Sequence, residues 1–310
     1  MSHPAPLFIL APPRSFTSVL NGVIGQHPAI LGMPELNLFQ AETMREFMTG
    51  VRGDGTRRSP FWHLMRHDGI LRAVAQLYAG EQTMDSVDMA RRWLLARADR
   101  STGEVYRELC MQVSPRIMLD KSPAYARRRD YLDRIVESFP EARFIHLVRH
   151  PRGQCESILK AEGGELVAFF MGALAEIDGR PVIDPQRLWL EAQRVITDFL
   201  LTLPAHRWRR VVGEEFMADI EGGAKELCAW LDLDADEAAI EAMAHPERSP
   251  FAMLGPANAR LGNDPNFLER PALRPSNVKP QSLDGPLSWR PDGASFLPEV
   301  RRVAETFGYH

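Results

Sequence analysis

The chain has 310 residues, 45% of them hydrophobic and 25% charged, with a net charge of −4 and a pI near 6.2. These values fit an ordinary soluble globular protein and exclude the basic electrostatic footprint of a nucleic-acid binder, and no apolar run approaches the roughly 20 residues that span a bilayer. Three widely separated cysteines, Cys110, Cys155 and Cys228, exclude a disulfide framework and a metal-ligand spacing, which makes a reducing cytoplasm the expected location.

In chain order, MSHPAP lacks the basic-then-apolar pattern of a secretory signal, so the mature chain is expected to start here. Short apolar runs at 7–11, 30–33, 117–120, 144–148 and 208–212 read as buried strands. Between them the apolar positions recur at helical spacing, as do Leu132, Ile135, Val136 and Phe139 in YARRRDYLDRIVESF. Strands separated by helices predict an α/β fold with a central parallel sheet flanked by helices, in one domain over residues 1–310. Residues 40–112 and 152–205 are helix-rich without a convincing strand and read as helical insertions over the sheet. From 246 to 291 the chain is rich in Pro, Gly and Asn without periodicity, which suggests a functional or wrapping loop. The last apolar pattern, Phe296, Leu297, Val300, Val303, Ala304 and Phe307, predicts a closing helix that buries Trp289, and His146 reads as a core histidine. Arg127, Arg128 and Arg129 read as the solvated side of a helix.

The stretch PLFILAPPRSFTSVL places Arg14, Ser15, Phe16, Thr17 and Ser18 between the first strand and a helix expected over 17–26. A helix start leaves N–H groups unpaired at the positive end of the dipole, which makes an anion seat. Arg14 adds a cationic fork, and the hydroxyls of Ser15, Thr17 and Ser18 add donors. A plain helix cap with an exposed arginine explains the same residues equally well. The loop is not a Walker A motif, which needs glycines and a lysine that are missing here.

A right-handed crossover brings the second strand back parallel to the first, so Glu35 is expected near that seat, unless it merely starts the next helix. Lys121 in RIMLDKSPAY and Arg149 in ARFIHLVRHPRGQCESIL likewise follow strands. Arg14, Lys121 and Arg149 are thus expected to converge at the carboxyl ends of parallel strands, where open α/β sheets bind ligands.

These residues resemble the sulfotransferases that use 3′-phosphoadenosine 5′-phosphosulfate (PAPS), which have a P-loop-like architecture. APPRSFTSVL is similar to the family's 5′-phosphosulfate loop, and LVRHPRGQCESIL to its 3′-phosphate motif, an arginine and a serine eight positions later, here Arg149 and Ser157. DKSP resembles the segment whose lysine contacts the sulfate side, and GMPELNLF the place where many members carry a glutamate base. The resemblance covers most of the chain, more weakly over 40–112. Phe16 replaces the usual glycine, so the loop is expected to approach the phosphosulfate differently or to lend its ring to the acceptor pocket, and His150 stands where aspartate is common.

The resemblance implies sulfuryl transfer from PAPS to an acceptor hydroxyl of a small molecule or a carrier-bound chain, releasing 3′,5′-adenosine bisphosphate (PAP). It assigns Glu35 as base, Arg14 and Lys121 to charge neutralisation, residues 14–18 to the phosphosulfate, and Arg149 with Ser157 to the 3′-phosphate, with no metal in the scheme. A P-loop-like kinase and a non-catalytic nucleotide-binding protein are the competing readings. The sequence does not name the acceptor or the oligomeric state.

Overall fold

Leu7–Leu10 forms β1 because four consecutive apolar residues suit a strand buried on both faces of a parallel sheet. The structure is a computed structural model that describes residues 3–58, 67–274, 278 and 280–310. The further strands are Ile30–Gly32 (β2), Ile117–Asp120 (β3), Arg143–Val148 (β4), Leu174–Ile177 (β5), Arg180–Ile183 (β6) and Trp208–Val212 (β7). Five of them make one parallel sheet in the order β2-β3-β1-β4-β7, with Leu7 opposite both Leu119 and Arg143. The expected α/β class is therefore the fold observed.

The two faces of β1 feed two cores, as period-2 alternation requires. Phe8 and Leu10 pack into a large cluster with the helices Met44–Thr49 (α2), Asp68–Ala79 (α3), Met84–Leu95 (α4), Thr102–Val113 (α5) and Arg129–Ser138 (α6). Leu7, Ile9 and Ala11 point the other way, onto Leu20, Val23 and Ile24 of Thr17–Ile24 (α1). Capping boxes at Thr83 and Ser101 fix the starts of α4 and α5, so the stretch between β2 and β3 is built of helices among its described residues. Residues 59–66 of that stretch lie outside the described residues.

The second insertion departs from expectation. After Pro151–Leu159 (α7) and Gly164–Phe170 (α8), β5 and β6 pair as an antiparallel hairpin ahead of the helix Gln186–Leu200 (α9). Its turn is Asp178-Gly179, both at positive φ, the Asp-Gly signature of a two-residue hairpin. The strands are four residues each and half exposed, so they carry little of the apolar alternation by which a strand is recognised.

Beyond β7 come Gly213–Ala218 (α10), Ile220–Leu231 (α11), Glu237–Met243 (α12), Pro265–Glu269 (α13) and Pro298–Thr306 (α14). Val300, Ala304 and Phe307 pack against Trp189 of α9, with Trp289 half-buried at the edge of the cluster and donating to Asp184 Oδ1 at 2.9 Å. His146 is fully buried, 2.7 Å from Gln193 Oε1, and burial pushes its pKa down to about 3, as suits a core histidine. Arg127, Arg128 and Arg129 are exposed, the last two beside Asp130 and Asp133.

Candidate active site

From β1 the chain fills one side of the sheet with β2 and β3, then crosses to the other with β4 and β7. The loop after β1 therefore lies at the switch point, between the segment that follows β3 and the one that follows β4, where an open α/β sheet has its crevice.

That loop is curled by two non-glycine residues in the left-handed region, Arg14 at φ 66° and Phe16 at φ 62°, with Ser15 between them at negative φ. Alternating signs of φ are the backbone pattern that can turn successive N–H groups towards one point, as in an anion-binding nest. Each left-handed side-chain-bearing residue costs on the order of 1–3 kcal/mol, a strain typical of ligand-binding loops. Phe16 occupies the N-cap of α1 without a side-chain cap, so the first-turn N–H groups keep their free valence. Ser15 Oγ is buried and has no hydrogen-bond partner among the described residues. Thr17 and Ser18 are buried in the first turn of α1. Ser18 is already engaged: its hydroxyl donates to Asn263 Oδ1 at 2.7 Å and accepts from Lys121 Nζ at 3.1 Å.

Glu35 follows β2 in an irregular segment, with a 3-10 turn beginning only at Leu38, so it does not open a helix. Its Oε1 accepts from Lys121 Nζ at 2.6 Å, and the lysine, fully buried, bridges the carboxylate to Ser18 on the anion loop. The Glu35 backbone is clamped as well. Its N–H donates to Gly262 O at 2.7 Å, and Gly69 in the first turn of α3 lies so close to the Glu35 carbonyl that only glycine fits there. Behind the pair, Ser122 Oγ donates to the buried Asp120 at 2.7 Å and accepts from Asn37 N at 3.0 Å, while Tyr125 also donates to Asp120. Ser122 thus ties Asp120 to the Glu35 segment and does not cap the turn that follows it. Burial pushes the Asp120 carboxyl up to about 7, against the two hydroxyl donors that favour its ionised form.

Arg149 follows β4. Its Nη1 donates to Arg14 O at 2.6 Å, its guanidinium lies 4.2 Å from the centre of the Phe16 ring, and its Nε is buried with no partner. Trp189 Nε1 fixes the Arg149 carbonyl at 3.0 Å. Burial lowers the Arg149 pKa, a cost that an arriving anion would relieve. Ser157 on α7 accepts from Arg14 Nε at 3.1 Å, so the two motifs meet across 143 positions of sequence. Arg14, Arg149 and Ser157 all line a cleft of about 460 Å³ that also takes in Lys160 and Gln281, and the same three line a recess of about 280 Å³ over residues 15–19. Ser15 Oγ in the wall of the recess and Arg149 Nε, packed beside Gly153 in the wall of the cleft, are two buried and unpaired donors at separate points, which fits a ligand with two separate anionic groups. His150, pushed down to about 4 by burial, is neutral near pH 7 and brings no charge to this corner.

The structure thus gathers Arg14, Ser15, Phe16, Thr17, Ser18, Glu35, Lys121, Arg149 and Ser157 at one edge of the sheet. The ring of Phe16 turns to Arg149 and to Gly213 at the start of α10. Residues that sequence reasoning missed come from the Pro/Gly-rich loop: Asn263 holds Ser18, and Asp264 forms an ion pair with Arg14. The loop's lack of periodicity was a signal for the segment, but no local pattern distinguishes these two positions. Among the described residues no group of three or more His, Cys, Asp or Glu is placed to hold a metal ion, and no helix is long and apolar enough to cross a membrane.

A switch-point loop rich in N–H and hydroxyl donors beside a carboxylate–ammonium pair is an arrangement suited to group transfer on an α/β sheet. Residues 6–237 match the sulfotransferase family, and the chain belongs to it: the protein is a sulfotransferase, an enzyme that transfers a sulfuryl group. The sulfotransferase domain from the curacin biosynthetic pathway is similar in structure, with a TM-score of 0.74 at 22% identity over 99% of this chain and 98% of that one. The sulfotransferase domain of the Synechococcus PCC 7002 olefin synthase has a TM-score of 0.71 at 25% identity over 100% of this chain and 96% of that one. Comparison with curated protein sequences gives no match.

Proposed function

We propose that the protein takes its sulfuryl group from PAPS and delivers it to a hydroxyl of a small molecule or a carrier-bound chain. The observation that carries this reading is the continuous line Glu35–Lys121–Ser18, which joins a candidate base to the anion loop through two hydrogen bonds. PAPS, when bound, supplies the sulfuryl group and leaves as PAP.

Glu35, with 27% of its side chain exposed, takes the proton from the acceptor hydroxyl. Lys121 and Arg14, with the N–H groups of the loop after β1, neutralise charge at the 5′ end, where positioning and electrostatics do most of the work in such transfers. Arg149 and Ser157 hold the 3′-phosphate. Three unpaired, buried cysteines support a reducing, cytoplasmic setting.

Titration calorimetry with PAP, AMP and ATP tests the donor site. A strong preference for PAP that disappears in Arg149→Ala is the expected result. Equal loss of PAP and AMP in that variant overturns the 3′-phosphate assignment, and a preference for ATP overturns the donor.

A further inference from the structure

Phe16 sits at an expensive place for a phenylalanine. Its φ of 62° lies in the left-handed region, where glycine is favoured, yet the position carries a large aromatic side chain. The surroundings are shaped to receive that ring. One side meets the Arg149 guanidinium, 4.2 Å from the ring centre, and another lies against the bare Cα of Gly213, where an added Cβ would stand 2.7 Å from Phe16 Cδ2. Gly213 opens α10, whose next residue, Glu214, accepts from His150 N at 2.9 Å. The ring therefore fills the space between the end of β4 and the start of α10, beneath the guanidinium.

Besides the ring, the guanidinium packs beside Gly153 and is attracted by the Glu214 charge, and its hydrogen bonding is sparse. Nη1 is fixed on Arg14 O, Nε has no partner, and Trp189 holds only the backbone of Arg149. A planar cation stacked on an aromatic face is restrained in orientation as well as attracted, whereas one hydrogen bond at Nη1 leaves the plane free to rotate.

We propose that Phe16 is a positioning residue for the 3′-phosphate: its ring holds the Arg149 guanidinium in the cleft wall, with the unpaired Nε packed beside Gly153 at the edge of the cleft. The aromatic side chain thus acts on discrimination between a 3′,5′-bisphosphate and a 5′-monophosphate, and does not line the acceptor pocket. This rests on the assignment of Arg149 to the 3′-phosphate made above.

The test measures the ratio of PAP to AMP affinity by calorimetry in the full-length protein and in Phe16→Gly, Phe16→Tyr and Arg149→Ala, with circular dichroism to confirm folding. Phe16→Gly, which suits the left-handed backbone, should lower the ratio roughly 3- to 30-fold, the range of a cation–π contact. Phe16→Tyr should keep the wild-type ratio. A wild-type ratio in Phe16→Gly alongside a collapsed ratio in Arg149→Ala overturns the role of Phe16 and leaves the site assignment standing. An unchanged ratio in Arg149→Ala overturns the assignment and the proposal with it. Equal weakening of PAP and AMP in Phe16→Gly also overturns the proposal, since the ring would then shape only the 5′ loop. Gly213→Ala provides a check that leaves residue 16 intact. It should lower the ratio in the wild-type background and lower it less in Phe16→Gly, because contacting residues are non-additive. Equal effects in both backgrounds overturn the ring's place in the coupling.

Discussion

Glu35 and Lys121, 86 positions apart in sequence, form a 2.6 Å ion pair in which the ammonium is buried and the carboxylate faces solvent. The buried cation has two acceptors, Glu35 Oε1 and Ser18 Oγ, so it stays hydrogen-bonded if the glutamate loses its charge. Glu35→Gln should therefore fold and bind PAP as the wild type does, while kcat falls by roughly 10²- to 10⁴-fold, the usual worth of a general base. Steady-state turnover beside PAP titration checks this. Unchanged turnover would remove Glu35 from proton transfer.

Asp264 carries a negative charge into the proposed anion site. It pairs with Arg14 and also caps α13 by accepting from Asn266 N at 2.9 Å. Asp264→Asn preserves an N-cap residue and removes the competing charge, so the variant should bind PAP more tightly by about fivefold, the factor for ~1 kcal/mol of a partly exposed ion pair. Weaker binding would mean that Asp264 helps orient Arg14 and does not compete for it.

Much of this site was legible because strand ends are legible. Arg14, Lys121 and Arg149 each follow a short apolar run, and parallel pairing then puts them on one edge whatever the helices between them do. The departures have physical reasons. Arg14–Asp264 and Ser18–Asn263 join residues 250 and 245 positions apart, and no periodicity reports a contact made by an irregular loop. Phe16 misleads for a different reason, since a left-handed φ is announced in sequence by glycine and here belongs to an aromatic residue. The hairpin at Asp178-Gly179 did carry a turn signal, but its strands were too short and too exposed to support it.

Gly69 tests whether the backbone of the Glu35 segment sets the position of the proposed base. A methyl group there would overlap the Glu35 carbonyl, and the Gly262 carbonyl blocks retreat by holding the Glu35 N–H. Gly69→Ala should reduce kcat by about 10²-fold, as a displacement near 1 Å can do, while PAP affinity holds. Thermal unfolding should register an overpacking cost of about 1–3 kcal/mol. Full activity in a destabilised variant would detach the clamp from catalysis.

Asp120 makes stability depend on pH in a direction unusual for a carboxylate. Its folded pKa is raised by burial to about 7, so between about pH 4 and 7 the folded chain holds a proton that the unfolded chain has released. The number of bound protons is then larger in the folded state, and the stability contributed by this group falls as pH rises through that window, by up to ~1.4 kcal/mol per pH unit. His146 and His150 act in the opposite sense, because burial pushes their folded pKa values down to about 3 and about 4. Below pH 6.5 the unfolded chain binds protons that these buried rings refuse, and stability rises with pH there. The informative quantity is therefore the difference in melting temperature between wild type and Asp120→Asn, in which the histidine contributions cancel. The variant should gain on the wild type as pH is raised from 5 to about 7.5. A difference that stays constant across this range would mean that Asp120 is ionised throughout, its charge stabilised by Ser122 and Tyr125 more strongly than burial opposes it.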